Sequence, residues 1–108
     1  MPFLGEFEQI VLLAILRLNE AAYGVTIRNE IARCTGRDPS PGALYTTLDR
    51  MEEKGMVRSS LWGASPERGG RSKRFFVVTK AGRAALVSAH RAYQNLLKGL
   101  TLLGDTSA

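Results

Sequence analysis

Apolar positions in the first half of the chain recur at helical spacing. The run Ile10–Leu16 is apolar on every side, so it predicts a first helix over about Leu4–Leu18 that is buried on more than one face. A second helix is predicted over about Val25–Cys34, and Gly36 is the residue expected to end it. Its apolar residues share one face and are expected to point inward: Ile27, Ile31 and Cys34.

The stretch Ser40–Val57 carries helix signals at both ends. Ser40 is a suitable N-cap, Pro41 suits the first helical position because its missing N–H would be unpaired there anyway, and Gly55 is the expected stop. Three apolar residues at i, i+4 and i+7 need a core: Leu44, Leu48 and Met51. The opposite side is short or polar: Ala43, Thr46 and Arg50, with Thr47 at the edge. A solvated helix face usually carries long charged side chains, so this face predicts a partner that comes close.

A β-hairpin is predicted after the third helix. The segments Val57–Trp62 and Lys73–Val78 are rich in strand formers and flank a turn region of Gly, Pro and Ser. Phe75 and Val77 make the outer face of the second strand apolar, which predicts that this face packs on another element. Two residues of the same strand are expected in the core: Phe76 and Val78.

A fourth helix is predicted from about Lys80 to Leu103, capped by Thr79 and ended by Gly104. Apolar residues spaced three and four apart along it form a coiled-coil seam: Leu86, Ala89, Tyr93, Leu96, Leu100 and Leu103. Such a seam predicts pairing with a second subunit. The alternative is simple docking of this helix onto the first helix of the same chain.

The order helix, helix, helix, hairpin, helix is that of the winged helix-turn-helix, a mostly helical α+β fold. In that fold the third helix enters the major groove of DNA and the hairpin, or wing, reaches across the backbone. A major groove about 12 Å wide accepts one helix with a slim leading face. We therefore divide the chain into a DNA-binding domain over residues 1–79, a dimerisation helix over residues 80–104 and a tail over residues 105–108.

Length and composition limit the class of protein. With 108 residues the chain has room for one modest core, and its longest apolar run is too short to span a bilayer. No basic segment followed by an apolar stretch and a cleavage site opens the chain, so nothing predicts export. The single cysteine, Cys34, cannot form an internal disulfide and is expected to be a small buried hydrophobe. These features predict a cytoplasmic protein without a membrane span.

Positive charge is concentrated in one segment. From Met1 to Val57, six Lys and Arg residues face eight Asp and Glu residues, a net charge of −2. From Arg58 to Arg83, seven Lys and Arg residues face Glu67 alone, a net charge of +6. A patch of this kind favours binding to a polyanion such as nucleic acid. The alternatives are a solvated face or a surface that grips an acidic protein.

Candidate catalytic and metal-binding residues are scarce. The chain has one His, one Cys and no pair of carboxylates at an informative spacing, so neither a nucleophile–base pair nor a metal site can be assembled. The sequence RGGR lacks the Lys-Ser/Thr and the helix that a phosphate-binding loop requires. We therefore expect no enzyme activity, no metal and no cofactor.

Three segments together resemble the PadR-like family of transcriptional regulators. They are YGVTI (Tyr23–Ile27), SPGALYTTLDRMEEKGMV (Ser40–Val57) and GRSKRFFVVTKAGRAAL (Gly70–Leu86), and with their spacing the resemblance covers about Leu4–Leu100. It implies a cytoplasmic homodimeric repressor of transcription that is joined largely by its first and last helices. It also implies a response to a small-molecule effector or to stress.

The residues expected to carry this function form two sets. The DNA-binding set is Tyr23, Ser40, Gly42, Ala43, Tyr45, Thr46, Thr47, Arg50, Arg68, Arg71, Lys73 and Arg74. The dimer-interface set is Ile10, Leu13, Leu86, Ala89, Tyr93, Leu96, Leu100 and Leu103. Asp49 departs from the family pattern. A basic or neutral residue at this position would be more favourable near DNA than a carboxylate. It can pair with a neighbouring Arg or accept a hydrogen bond from cytosine N4.

Together with this resemblance, the sequence predicts a sequence-specific regulator that binds double-stranded DNA as a dimeric repressor on an inverted repeat. The resemblance implies a small-molecule effector as a further partner. The alternative is a winged helix that serves as a protein-interaction module for an acidic partner.

Overall fold

Four α-helices and one antiparallel pair of strands form the regular structure of residues 3–62 and 73–102, the part of the chain that the computed structural model describes. The helices are α1 (Glu6–Leu18), α2 (Gly24–Thr35), α3 (Pro41–Glu53) and α4 (Lys80–Leu97), and the strands are β1 (Val57–Trp62) and β2 (Lys73–Val78). A short 3₁₀ turn, Asn19–Ala21, links α1 to α2. This order confirms the predicted winged-helix fold, with a fourth helix after the wing.

The helix ends follow the signals in the sequence. Ser40 Oγ accepts a hydrogen bond from the Ala43 N–H at 3.1 Å and caps α3. Thr79 Oγ1 caps α4 in the same way by accepting one from the Gly82 N–H at 3.0 Å. At the end of α2, Gly36 takes the left-handed conformation with φ of 75°, which glycine adopts without strain. The predicted caps and the predicted stop of α2 are confirmed.

The core lies between the first three helices and the inner face of β2. Its fully or almost fully buried residues are Val11, Leu12, Ile15, Ala22, Ile27, Ile31, Leu44, Leu48, Met51, Val57 and Phe76. Helix α1 is buried on more than one side, as its composition predicts, although Leu13 is half exposed. Val78, also predicted to be internal, is partly buried against this core.

Strand β2 makes backbone hydrogen bonds on both of its edges. One edge pairs with β1 in a register that joins Val57 to Val78. On the other edge, the Phe76 N–H donates to the Ala22 carbonyl at 2.9 Å, so the wing is joined to the start of α2. On the outer face of β2, Phe75 packs on another element, as predicted, whereas Val77 remains 54% exposed.

The prediction that Cys34 is buried was wrong. Its side chain is exposed, and its thiol donates to Glu30 Oε2 at 3.6 Å. The last turn of α2 extends beyond the core that holds Ile27 and Ile31, so the helical periodicity continues where there is no longer a core to meet it.

The predicted length of α4 was also wrong. The helix ends at Leu97 because Lys98 leaves the helical conformation with ψ of 130°, and Gly99 follows with φ of 80°. Leu100 therefore lies beyond the helix and is 60% exposed. Leu103, like the predicted stop at Gly104, lies outside the described residues. The apolar spacing continued past a glycine that ends the helix.

Glu30 joins α1 to α2 through two guanidinium groups. Its Oε2 lies 2.6 Å from Arg17 Nε on α1 and 2.6 Å from Arg33 Nη2 on its own helix. The hydrogen bonds from Arg33 and Arg17 lower the pKa of Glu30 to about 2.

The first turn of α4 lies directly against the segment that follows α3. The Thr79 N–H donates to the Met56 carbonyl oxygen at 3.0 Å. A Cβ at Gly82 would press on that same carbonyl oxygen and would fall 2.8 Å from Val78 Cγ1. Only a residue without a side chain allows α4 to begin this close to the end of α3.

Gly82→Ala is expected to destabilise the protein by about 1–3 kcal/mol, because the added methyl group must displace backbone. Gly42→Ala is the matched control: it also adds a methyl group in the first turn of a helix, but at a position with open space around it. Urea unfolding at equal protein concentration compares the two variants. Equal stability of Gly82→Ala and Gly42→Ala would show that the contact at Met56 is not tight.

Acid is expected to weaken the joint between α1 and α2. The pKa of Glu30 is about 2 in the folded chain, against 4.5 for an unperturbed glutamate. The stabilisation that the ionised Glu30 gives to the folded state is therefore complete above about pH 4.5 and is lost as the pH falls toward 2. Glu30→Gln should flatten the dependence of the free energy of unfolding on pH across this window. Glu20→Gln, which changes an exposed glutamate outside the described ion pairs, should keep the wild-type dependence. Identical curves for the two variants would contradict the assignment.

Candidate nucleic-acid interface

Helix α3 presents a slim exposed face opposite its buried one. Leu44, Leu48 and Met51 are completely buried. The exposed side consists of short or polar residues with one long cation: Ser40, Gly42, Ala43, Thr46 and Arg50. Thr47 is not part of this side, since only 5% of it is exposed.

Tyr45 connects α3 to the start of α2. The Tyr45 hydroxyl and the adjacent ring carbon lie where a Cβ would be at Gly24, the first residue of α2. The absence of a side chain at Gly24 therefore allows the tyrosine to lie against the α2 N-terminus, with 38% of the residue still exposed. Sequence reasoning assigned no role to this glycine. Its signal was the Tyr-Gly pair at the head of the YGVTI segment.

Tyr23 connects α2 to the wing. Lys73 Nζ lies 4.4 Å from the centre of the Tyr23 ring and donates to its hydroxyl at 3.3 Å. The Phe75 ring meets the Tyr23 ring edge-on, with 5.2 Å between their centres. Two of the predicted DNA-binding residues, Tyr23 and Lys73, thus lie side by side although 50 positions separate them in the sequence.

Arg74 connects the wing to α3. Its Nη1 lies 2.9 Å from Asp49 Oδ1, its Nη2 lies 2.6 Å from Glu52 Oε1, and its Nε donates to Ser59 Oγ at 3.2 Å. Of the two alternatives for Asp49, pairing with a neighbouring Arg is the one that the structure contains. Arg74 is also only partly exposed, at 31% of its side chain.

Glu52 accepts hydrogen bonds that favour its charged form. Hydrogen bonds from Ser59 and Arg74 lower the pKa of its carboxyl group. The Ser59 hydroxyl and the Ser59 N–H donate to it at 2.9 and 3.2 Å. The end of α3 and the base of the wing therefore share one hydrogen-bonded cluster, formed by Asp49, Glu52, Ser59 and Arg74.

Lys54, at the C-terminal end of α3, also forms an ion pair. Lys54 Nζ lies 3.0 Å from Glu8 Oε2 on α1. Burial alone would raise the pKa of Glu8, but the Gly5 N–H and Lys54 outweigh it and lower that pKa. Arg50 has no carboxylate within ion-pair distance among the described residues, so it is the cation that α3 leaves available.

Two cations of the predicted DNA-binding set, Arg68 and Arg71, lie outside the described residues. The same holds for every residue between the two strands of the wing, 63–72.

An open groove of about 740 Å³ lies between α1 and α4. Leu13 from α1 lines it, and Leu86, Val87 and Tyr93 line it from α4. Leu13 is 50% exposed, Tyr93 is 65% exposed, and the neighbouring Leu96 is 78% exposed. Ile10 and Ala89, also predicted at the interface, are partly buried. Apolar residues of α1 and α4 thus lie together along this groove.

Candidate metal sites and membrane spans were considered for the described residues. Among residues 3–62 and 73–102, no group of three His, Cys, Asp or Glu residues is placed to hold a metal ion. No described helix combines the length and the apolar character needed to cross a bilayer.

The model of the transcriptional regulator PadR-like family matches residues 12–88, from the middle of α1 into α4. The chain belongs to the PadR-like family. The matched region contains α2, α3 and the wing, which are the elements that build the surface described above.

This PadR-like chain is 37% identical over 76 residues to the transcriptional regulator Rv3488 of Mycobacterium tuberculosis. The aligned region is 70% of this chain and 66% of that relative, so the chain spans just under two thirds of the relative's length.

Solved structures show the same fold. A PadR family transcription regulator from Clostridium difficile R20291 is similar with a TM-score of 0.70 and 22% identity, over 85% of this chain and 92% of that chain. F93 from STIV, a winged-helix DNA-binding protein, is similar with a TM-score of 0.70 and 16% identity, over 93% of this chain and all of that chain. This chain is therefore a winged-helix member of the PadR-like family of transcriptional regulators.

Proposed function

We propose that this PadR-like regulator is a dimeric repressor that binds an inverted repeat in double-stranded DNA and acts in the cytoplasm. The observation that carries the proposal is the exposed, slim face of α3, whose opposite face is completely buried. A helix held by its core on one side and lined by small residues on the other fits the width of a major groove.

Thr46 and Arg50 are the residues that we assign to base edges. Both are exposed on the free side of α3, and Arg50 has no carboxylate partner among the described residues. An Arg can donate two hydrogen bonds to guanine, and a Thr methyl group can contact the methyl group of thymine. Gly42 and Ala43 contribute by leaving room for the helix to come close.

Phosphate contacts are assigned to residues around this face. Lys73 and Tyr23 lie together where the wing meets α2, and the Ser40 end of α3 presents backbone N–H groups. Arg68 and Arg71, which lie between the two strands in the sequence and outside the described residues, add positive charge. These contacts would fix the position of the protein on the duplex without reading its sequence.

The second subunit is proposed to cover the groove between α1 and α4. Leu13, Tyr93 and Leu96 expose large apolar surfaces on one side of the chain, and a second copy would remove them from water. The alternative predicted from the sequence is docking of α4 on α1 of the same chain. It accounts for the burial of Leu86, which is 8% exposed, but leaves Leu96 uncovered.

We place a small-molecule effector in the same groove, where it would compete with or alter the subunit contact.

The test of the proposal selects duplexes from a random-sequence DNA pool with the wild-type protein and measures binding to them across a salt titration. Enrichment of an inverted repeat supports a sequence-specific dimer. Binding that is equal on all duplexes, or absent at low salt, contradicts the proposal. Absence at low salt would instead favour an acidic protein partner for the same cations.

Thr46→Leu is expected to weaken binding to the selected duplex while leaving the fold intact. The larger apolar side chain keeps the helix but blocks close approach to the bases. A lost base contact costs about 1–3 kcal/mol per base pair. Asn29→Leu, a similar change on the exposed side of α2, is the control for added apolar surface. Unchanged base preference in a folded Thr46→Leu variant would remove Thr46 from the site.

Leu96→Asp is expected to split the dimer without unfolding the chain. Because Leu96 is 78% exposed in the single chain, the carboxylate costs nothing there, but it would be buried and unpaired in the dimer. Sedimentation should show a folded monomer, and binding to the selected duplex should fall to the non-specific level. Gln94→Asp, which adds the same charge at an exposed position outside the seam, should remain dimeric. A dimeric Leu96→Asp variant with normal DNA binding would show that the subunits meet elsewhere.

A further inference from the structure

We propose that Arg74 acts as a positioning residue for DNA recognition: it joins the wing to α3 and offsets part of the negative charge of Asp49 and Glu52, and it does not serve as a phosphate ligand. The proposal rests on the DNA-binding function proposed above. It changes the role expected for Arg74 from the sequence, where it was placed among the cations that contact DNA.

The guanidinium of Arg74 is occupied at all three nitrogens. Nη1 pairs with Asp49, Nη2 pairs with Glu52, and Nε donates to the Ser59 hydroxyl, at distances of 2.9, 2.6 and 3.2 Å. A guanidinium binds a phosphate best when two parallel N–H groups are free to form a fork. Three of the five N–H groups of Arg74 are therefore engaged, and a phosphate would compete with Asp49 and Glu52 for both terminal nitrogens.

Packing holds the same guanidinium in place. Arg74 Cζ lies 4.8 Å from the centre of the Phe76 ring, on the inner face of β2. Phe76 is 1% exposed and belongs to the core, so the surface on which the guanidinium lies is itself fixed. Arg74 is therefore directed toward α3 by its strand position and by its stacking contact.

Two carboxylates on the third helix need this partial neutralisation. Asp49 and Glu52 stand three residues apart on one side of α3, and 61% of the Asp49 side chain is exposed. Without Arg74 they would carry two uncompensated negative charges close to the proposed path of the DNA phosphates. With Arg74 in place, the cluster has one positive charge against two negative ones, and the wing is joined to the helix that reads the bases.

The experiment compares Arg74→Gln in two backgrounds, the wild-type chain and the Asp49→Asn/Glu52→Gln chain. The probe is the duplex selected from the random pool by the wild-type protein. In the wild-type background, we expect Arg74→Gln to weaken binding at least tenfold, because two carboxylates are left unpaired. In the amide background, the same change should weaken binding no more than about threefold, and the slope of log affinity against log salt should stay the same.

Lys73→Gln, at the position next to Arg74 on β2, is the matched control for the loss of one positive charge. Lys73 is a cation of the same strand with no carboxylate partner among the described residues, and we assign it to phosphate. Its substitution should weaken binding equally in both backgrounds and lower the salt slope by about 1 per subunit.

The Arg74 proposal is overturned if Arg74→Gln behaves like Lys73→Gln, with equal losses in both backgrounds and a lower salt slope in the amide background. That result would assign Arg74 to a phosphate while leaving the DNA-binding function intact. If the wild-type protein binds no duplex at low salt, the proposed function fails and this proposal fails with it. Thermal unfolding checks each variant, and if Arg74→Gln does not fold, Arg74→Lys is compared in the same two backgrounds.

Discussion

The burial of one face of α3 determines what the protein can present to DNA. Leu44, Leu48 and Met51 are completely withdrawn from water, and all three belong to one core with buried residues of α1, α2 and the wing. Burial of three large apolar side chains is worth several kcal/mol, so α3 cannot rotate about its axis without exposing them. The direction of the opposite face, with Thr46 and Arg50, follows from this constraint.

Charge contributes less to the surface than the composition suggests. The chain has 15 Lys and Arg residues, but several of those described are already engaged inside the protein. Lys54 is paired with Glu8, Arg74 with Asp49 and Glu52, and the α1–α2 joint uses two further arginines. Such pairs contribute mainly to the orientation of elements, because partly exposed ion pairs add little stability. The cations left for a polyanion are therefore fewer and more localised than the total of 15 Lys and Arg residues implies.

The sequence predicted local features well and long-range pairings poorly. Helical spacing, caps and strand-forming residues are properties of neighbouring positions, and they correctly predicted α3 with its caps and both strands of the wing. The same local pattern failed at Cys34 and beyond Leu97, where the helical period continued although the core, or the helix, had ended. Nothing in the order of residues connects Arg74 with Asp49, or Lys73 with Tyr23, because these pairs depend on where β2 lies in the folded chain. The assignment of individual residues to DNA or to a second subunit remains a prediction.

The joint between α3 and α4 links the surface proposed for DNA to the surface proposed for the second subunit. The Thr79 hydroxyl donates to the Gly55 carbonyl at 2.6 Å, and the Thr79 N–H donates to the Met56 carbonyl at 3.0 Å. Gly82 then allows the first turn of α4 to lie against the same segment. Helix α4 is thus fixed to the end of α3 by two hydrogen bonds from Thr79 and by the close packing at Gly82. In a dimer held by α4, the distance between two copies of α3 would therefore be set by this joint, and a ligand that moved α4 would move α3 with it.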